Sequence, residues 1–165
     1  MKTGLFIGRF QPFHLGHLSA IRQALEAVDF LHIGIGSAQE SGTEKNPFTA
    51  EERAEMIANS LAETGIPRNR FDITPIPDIN NNPAWPGHVR KLIPDGFTVV
   101  FVGEPNALVR ELFEKYDNAK IVVVKKEIDI SATEIRKRIR ENRDWQKNIS
   151  TATAKIIAKS ITGIE

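Results

Sequence analysis

Two histidines three residues apart are the strongest chemical feature of this sequence. His14 and His17 come after a buried apolar run that ends at Gly8, and they stand where a stretch of helical spacing begins. Imidazolium and imidazole N–H groups donate hydrogen bonds to phosphate oxygens, and the first turn of a helix adds free backbone N–H groups. Arg9 offers a two-pronged donor, and Gly16 lets the backbone approach a ligand closely. The segment therefore predicts an anion site.

Three other interpretations of the histidine pair have less support. A zinc site needs further ligands, but the chain has no cysteine and no acidic residue adjoins the pair. A structural role is usual for one isolated histidine, whereas this pair stands with Arg9 and Gly16 in a strand-to-helix turn. The glycine spacing of a dinucleotide-binding loop is missing, and so is a Walker-type loop. Phosphate binding is the favoured interpretation.

A second predicted helix start carries a similar set of groups. Ser131 or Thr133 can cap this helix, and Glu134 has the spacing of a capping box from Ser131. The hydroxyls, the backbone N–H groups and Arg136 one turn later together form another anion-binding face. Two such helix starts at one sheet edge can grip a triphosphate between them.

A turn-rich segment at residues 78–89 combines Asn, Trp and His side chains. The face of Trp85 can stack on a flat, cationic heteroaromatic ring, and Asn82 can pair with a carboxamide. A buried structural tryptophan is the alternative. On either interpretation we expect residues 80–83 to be irregular, because Asn and Pro favour turns.

The elements that must position these groups follow an α/β pattern, in which short apolar runs alternate with stretches of helical period. We predict a Rossmann-like, doubly wound parallel sheet of about five strands, with helices on both faces and a C-terminal helix. The predicted strands are Thr3–Gly8, Phe30–Gly36, Phe71–Pro75, Thr98–Gly103 and Ala119–Val124. Ligands bind such sheets at the carboxyl ends of the strands.

The predicted helices have recognisable starts. The first begins near Gly16, and the second runs from a Thr49 cap to Gly65. The third begins around Pro105 and the fourth at Ser131, and a last helix covers residues 150–161. The expected inward-facing positions of the third and last helices are Leu108, Leu112, Phe113, Ile156, Ile157 and Ile161.

Composition limits the class of protein. A chain of 165 residues, 41% of them hydrophobic, is expected to form one domain over residues 1–165. A net charge of +1 argues against nucleic-acid binding. The absence of cysteine is compatible with a reducing compartment, and no stretch has the pattern of a signal peptide or a membrane span. We therefore expect a soluble, unprocessed cytoplasmic protein.

Two strings carry a resemblance to a known family. Residues 8–17 read Gly-Arg-Phe-Gln-Pro-Phe-His-Leu-Gly-His, and residues 130–136 read Ile-Ser-Ala-Thr-Glu-Ile-Arg. They resemble the two signatures of the His-x-Gly-His nucleotidyltransferase superfamily, in the version of archaeal-type nicotinamide mononucleotide adenylyltransferases. Ala132 stands where family members more often have Gly or Ser, and Lys45 where they usually have an Arg that reaches the mononucleotide phosphate.

The resemblance implies transfer of the adenylyl group of ATP to nicotinamide mononucleotide, with release of NAD and pyrophosphate. It implies Mg²⁺ held mainly by the ATP phosphates, and a homo-oligomer, commonly a hexamer. The implied catalytic residues are His14, His17, Arg9 and Arg136; the implied ATP-binding residues are Gly8, Phe10, Gly16, Gly103, Ser131 and Thr133; the implied mononucleotide-binding residues are Ser37, Lys45, Asn82 and Trp85.

Two alternatives stay open at this point. The histidine pair contacts ATP and not the acceptor, so flavin mononucleotide or phosphopantetheine could replace nicotinamide mononucleotide. A sensor that binds ATP or NAD without turnover would keep the same fold, although both phosphate motifs are intact.

Overall fold

A five-stranded parallel sheet forms the centre of the computed structural model, which describes residues 1–162. The strands are β1 (Thr3–Gly8), β2 (Phe30–Gly36), β3 (Phe71–Ile76), β4 (Val99–Val102) and β5 (Lys120–Val123). Their order across the sheet is β3-β2-β1-β4-β5, and every neighbouring pair is parallel. All five predicted strands are confirmed, with small shifts at their ends, and their carboxyl ends meet at one edge.

Helices cover both faces of the sheet, as predicted. The helices are α1 (Leu15–Ala27), α2 (Ala50–Glu63), α3 (Trp85–Leu92), α4 (Ala107–Tyr116), α5 (Ala132–Arg140) and α6 (Thr151–Thr162). Side chains alternate along β1, so that Phe6 joins the core under α1, α2, α5 and α6, while Leu5 and Ile7 join the core under α3 and α4. In the part of the chain that is described, no helix is both long and apolar enough to cross a membrane.

The α2 helix begins at the capping box that the sequence predicts. The Thr49 hydroxyl accepts a hydrogen bond from the Glu52 N–H at 3.1 Å, and the Glu52 carboxylate accepts one from the Thr49 N–H at 3.1 Å. The helix ends at Glu63, slightly before the predicted end. Gly65 follows with a φ of +76°, a left-handed conformation that glycine adopts without strain.

Residues 85–92 differ from the irregular chain expected near the asparagine run, because they form α3. The Asn81 side-chain oxygen accepts a hydrogen bond from the Ala84 N–H at 3.2 Å, which ends the turn just before the helix. Pro86 is compatible with the first helical turn, where its missing N–H would have no partner in the helix. This short helix was not predicted from the sequence, because the turn residues at 80–83 come immediately before it.

The prediction of inward-facing side chains is wrong at two positions, Leu108 and Ile161. The helix α4 begins at Ala107, two residues after the predicted start, and Leu108 in its first turn is 56% exposed, whereas Leu112 and Phe113 are buried. Ile161 is 53% exposed, whereas Ile156 and Ile157 are buried. The start of α6 is joined to α2 by hydrogen bonds of the Ser60 hydroxyl with the hydroxyls of Ser150, just before α6, and Thr153.

We expect Thr49→Ala to lower the free energy of unfolding by about 1 kcal/mol, because the Glu52 N–H loses its acceptor. Urea unfolding followed by circular dichroism measures this change. Thr49→Ser is the matched control, since it keeps the hydroxyl and should stay close to the wild type. Equal stability of all three proteins would show that the capping box does not hold this helix start.

Candidate active site

Two adjoining cavities open at the carboxyl edge of the sheet. We call the first the tryptophan cavity, of about 480 Å³, and the second the histidine cavity, of about 580 Å³. Trp85 lines the first, and His14 and His17 line the second. Both linings include Gly8, Arg9 and Asn106. Ligands bound in the two cavities would therefore approach each other at this shared wall.

The histidine cavity brings together most of the residues singled out from the two sequence motifs. Its lining combines the loop after β1, the start of α1, the residue after β4 and the start of α5. The predicted site residues in this lining are Gly8, Arg9, Phe10, His14, Gly16, His17, Lys45, Gly103, Ser131, Thr133 and Arg136. Two strings more than a hundred residues apart in sequence thus border one cavity.

The two histidine rings are held in place by the backbone of the helix that they begin. His14 is the N-cap of α1, and its Nδ1 accepts hydrogen bonds from the N–H groups of Gly16 at 3.1 Å and His17 at 3.3 Å. The Nδ1 of His17 accepts the N–H of His14 at 3.2 Å. Because both Nδ1 atoms act as acceptors, each neutral ring carries its hydrogen on Nε2. That N–H is the donor each ring offers to a ligand.

Both rings are neutral at neutral pH. Burial lowers the pKa of His14 from 6.5 to about 4. Burial, followed by the like charge that His14 would carry, lowers the pKa of His17 well below its ordinary value. The rings stack with their centroids 3.7 Å apart and their planes at 18°, so two imidazolium charges would repel strongly. The pair supplies N–H donors, and other residues supply the positive charge.

Two phenylalanines of the same loop fix the His17 ring. Phe13 stacks on it with 5.6 Å between ring centroids, and Phe10 packs against it edge-on at 4.9 Å. Both phenylalanines are buried. Phe10 thus borders the cavity and also supports a ring that lines it.

Arg136 joins the start of α5 to the loop after β1. Its Nη1 donates to the Gln11 carbonyl at 2.8 Å and its Nη2 to the Thr133 hydroxyl at 3.3 Å. The side chain of Gln11 is buried and exchanges two hydrogen bonds of 2.9 Å with the backbone of Phe48. Sequence reasoning missed Gln11, which links three segments of the site.

Positive charge predominates in the histidine cavity. Burial lowers the pKa of Arg136, and the like charges of Arg140 and Arg9 lower it further, although a guanidinium stays charged at neutral pH. The side chains that carry charge in this lining are five cations, Arg9, Lys45, Lys125, Lys126 and Arg136, and two carboxylates, Glu104 and Glu127. Lys45 lies here and not in the tryptophan cavity, where sequence reasoning had grouped it with Ser37, Asn82 and Trp85.

The tryptophan cavity is richer in amides. Asn80, Asn81 and Asn82 line it together with Ser37 and Trp85. Asp78 also lines it and is held by Gln39, whose side chain exchanges two hydrogen bonds of 3.0 Å with this residue.

Trp85 has a structural contact as well as a cavity position. Its ring packs edge-on against Phe113 with 5.7 Å between centroids, and the residue borders the core under α3 and α4. The structural and the ligand-facing interpretations are therefore compatible, because one part of the half-buried ring packs inward and another lines the cavity.

Asn106 is a residue of the shared wall that sequence reasoning did not select. Its side-chain nitrogen donates to the Ile7 carbonyl at 3.0 Å, which ties the chain after β4 to the end of β1. The available signal was its position three residues after Gly103, at the same sheet edge as His14.

Residues 1–162 contain no group of three His, Asp or Glu side chains placed to hold a metal ion. The carboxylates of the histidine cavity, Glu104 and Glu127, are outnumbered by its cations. This arrangement fits a divalent ion that enters with a polyphosphate and is coordinated mainly by phosphate oxygens and water.

Comparisons with known proteins agree with this fold. Solved structures of a bifunctional NMN adenylyltransferase/ADP ribose pyrophosphatase from Francisella tularensis match 98% of the chain, with a TM-score of 0.78 at 24% identity. A structure of that protein complexed with AMP and a manganese ion also matches 98% of the chain, with a TM-score of 0.72 at 25% identity. The chain spans about half the length of those proteins, 54% and 53%.

Sequence relatives are closer. The chain is 45% identical to nicotinamide-nucleotide adenylyltransferase from Thermococcus sibiricus, covering 98% of this chain and 86% of that protein. It is also 45% identical to the enzyme of that name from Pyrococcus furiosus, and this match covers 100% of the chain and 87% of that protein. The model of the cytidylyltransferase-like family matches residues 5–138. With its two motifs lining one cavity and relatives that match along nearly its whole length, the chain belongs to the cytidylyltransferase-like family and, within it, to the archaeal-type nicotinamide-nucleotide adenylyltransferases.

Proposed function

We propose that this protein transfers the adenylyl group of ATP to nicotinamide mononucleotide, which gives NAD and pyrophosphate. The observation that carries the proposal is the wall shared by the two cavities, at Gly8, Arg9 and Asn106. A cationic cavity for a triphosphate meets an amide-rich cavity for a second nucleotide there. Relatives that match the chain along nearly its whole length bear the name of this activity.

In this proposal the triphosphate occupies the histidine cavity. Arg9, Lys45 and Arg136 neutralise its charge, and the starts of α1 and α5 add backbone N–H groups. Gly8, Phe10, Gly16, Gly103, Ser131 and Thr133 form the remaining predicted ATP contacts. Lys45 can reach a phosphate as a point charge but lacks the fork of an arginine.

The acceptor occupies the tryptophan cavity, with its phosphate toward Arg9. The exposed part of Trp85 stacks on the pyridinium ring, and Ser37 and Asn82 donate or accept hydrogen bonds. Asp78 adds one negative charge to this wall. A neutral carboxamide on a cationic ring suits these groups better than a carboxylate does, so we propose a preference for nicotinamide over nicotinic acid mononucleotide.

The chemical step is one displacement. A phosphate oxygen of the mononucleotide attacks the α-phosphorus of ATP, a new P–O bond forms, and the bond from the α-phosphorus to the bridging oxygen breaks as pyrophosphate leaves. The attacking phosphate is already ionised, so no general base is needed. The Nε2–H groups of His14 and His17 stabilise charge that develops on the phosphate oxygens, and Arg9 and Arg136 orient the reactants.

A divalent ion is part of the proposal, since a solved relative is described as complexed with AMP and a manganese ion. We propose Mg²⁺ held by the phosphates of ATP, where it would neutralise their charge. The homo-oligomer, as a hexamer, and the cytoplasmic location stay predictions; the absence of cysteine is compatible with that compartment.

Acceptor identity is tested by measuring pyrophosphate release with ATP and a panel of phosphorylated acceptors. We expect the highest kcat/KM with nicotinamide mononucleotide, a lower value with nicotinic acid mononucleotide, and background rates with flavin mononucleotide and phosphopantetheine. Activity with flavin mononucleotide alone would overturn the acceptor. ATP binding in calorimetry without product from any acceptor would favour a nucleotide sensor.

Replacing His17 with alanine should lower kcat by roughly 10²-fold or more, because an oriented donor to the developing charge is lost. Steady-state kinetics with saturating ATP measure the effect. His88→Ala is the matched control, since its ring bonds to the Pro77 carbonyl at 3.1 Å and does not line the histidine cavity. An unchanged kcat in the His17 variant would refute its assigned role.

The neutral histidines also predict how stability depends on pH. The pKa of His14 is about 4 in the folded protein and 6.5 as an ordinary value, so the unfolded chain takes up a proton that the folded protein refuses. Stability is therefore lost as pH falls below the ordinary value, by about 2 kcal/mol for His14 at about pH 5. Urea unfolding measures the loss, and His14→Asn should reduce it. An NMR midpoint near the ordinary value for the His14 ring would contradict the neutral pair.

A further inference from the structure

We propose that Arg53 is a positioning residue for the acceptor. Its guanidinium fixes the chain after β1 to the chain after β2 and thereby places the wall of the tryptophan cavity relative to the histidine cavity. This inference rests on the proposed function for the identity of the acceptor. Sequence reasoning gave Arg53 no role, because a charged residue in the first turns of α2, just after the Thr49 cap, is expected to face solvent.

The guanidinium bridges the two strand ends directly. Nη1 donates to the carbonyl of Arg9 at 3.0 Å and to that of Gly36 at 2.9 Å. Nη2 donates to the carbonyls of Ser37 at 3.3 Å and Glu40 at 3.2 Å. The anchor on its own helix is Nε, which donates to the Thr49 carbonyl at 3.1 Å. One side chain therefore joins the loop that precedes the histidines to the loop that lines the other cavity.

No carboxylate of residues 1–162 is in ion-pair contact with this cation. Arg53 is 0% exposed, and the ion pairs found among the described residues do not include it. A buried charge without a contacting counter-ion is costly. Here backbone carbonyl dipoles compensate it, and the charges of Glu51 and Glu52 add to this from beyond contact distance. Burial is also the main cause that lowers its pKa. If Arg53 only filled the core, an apolar side chain would do so at a lower cost in folding free energy.

The carbonyls that Arg53 holds lie beside unusual backbone. Phe10 follows Arg9 with a φ of +54°, and Ser37 follows Gly36 with a φ of +46°. Residues other than glycine rarely adopt this left-handed region, and such conformations persist only where surrounding contacts enforce them. The fork of Arg53 provides such contacts at both strand ends.

The two cavities should respond differently when this link is loosened. Gly36 and Ser37 line the tryptophan cavity but not the histidine cavity, whereas Arg9 lines both. The histidine cavity keeps its own link through Arg136 and Gln11. Acceptor binding should therefore suffer more than ATP binding. Lysine cannot replace the fork, because its donors all sit on one nitrogen.

Arg70 offers a matched control at the opposite edge of the sheet. It also donates to backbone carbonyls, with Nε 2.7 Å from Asp29 O and Nη2 2.8 Å from Leu25 O and 3.0 Å from Val28 O. It lies just before β3, at the amino end of the strand and away from both cavities. Arg70→Lys removes the same kind of fork without touching the site.

The experiment compares wild type, Arg53→Lys and Arg70→Lys by steady-state kinetics and by calorimetric binding of ATP and of nicotinamide mononucleotide separately. For Arg53→Lys we expect the acceptor KM and Kd to rise about tenfold or more, with the Kd for ATP within about threefold of wild type. Arg70→Lys should keep all these constants even where its thermal denaturation temperature falls. If Arg53→Lys does not fold, Arg53→Gln, which removes the buried charge and keeps an amide donor, should show the same acceptor-selective loss.

Unchanged acceptor binding in a folded Arg53 variant would overturn the inference, and so would equal weakening of ATP and acceptor. A wild-type protein that binds the mononucleotide but does not turn it over would refute the proposed function instead. The binding comparison would still decide the role of Arg53, because calorimetry requires no turnover.

Discussion

Five parallel strands end at the same edge of the sheet, and each group assigned to the site depends on that arrangement. The end of β1 brings Arg9 and the histidine pair, the end of β2 brings Ser37, and the chain after β4 brings Asn106. Since β1 is central, its loop separates the two cavities and borders both of them. Two nucleotides bound on either side of one strand end can then meet at their phosphates, which is the geometry that adenylyl transfer requires.

The site separates the donation of hydrogen bonds from the supply of charge. Stacked, buried histidines are held as neutral donors by backbone N–H groups at the start of α1. Lysine and arginine side chains around them carry the positive charge. Neutral donors of fixed direction do not need to reorganise as charge moves onto the departing pyrophosphate, and this preorganisation is the usual source of catalysis in such sites.

Much of this could be predicted from sequence, because local patterns determine it. Apolar runs identified the strands. The strings at residues 8–17 and 130–136 identified the phosphate-binding residues, because the groups that would bind phosphate are close together in sequence there. Long-range contacts could not be predicted this way. Arg53 has the sequence context of an ordinary helix charge, and only the fold shows that it is buried among carbonyls of two distant loops. The position of Lys45 at the histidine cavity could not be predicted either, because its loop has no periodic pattern from which the direction of the side chain could be inferred.

The proposed adenylyl transfer carries the α-phosphorus of ATP to the phosphate of the acceptor. Incubation with nicotinamide mononucleotide and ATP labelled at the α-phosphorus, followed by separation of the products, tests it most directly. We predict that the label is recovered in the dinucleotide and that the pyrophosphate is unlabelled. Label in the pyrophosphate or in free phosphate, or a dinucleotide without label, would contradict the mechanism.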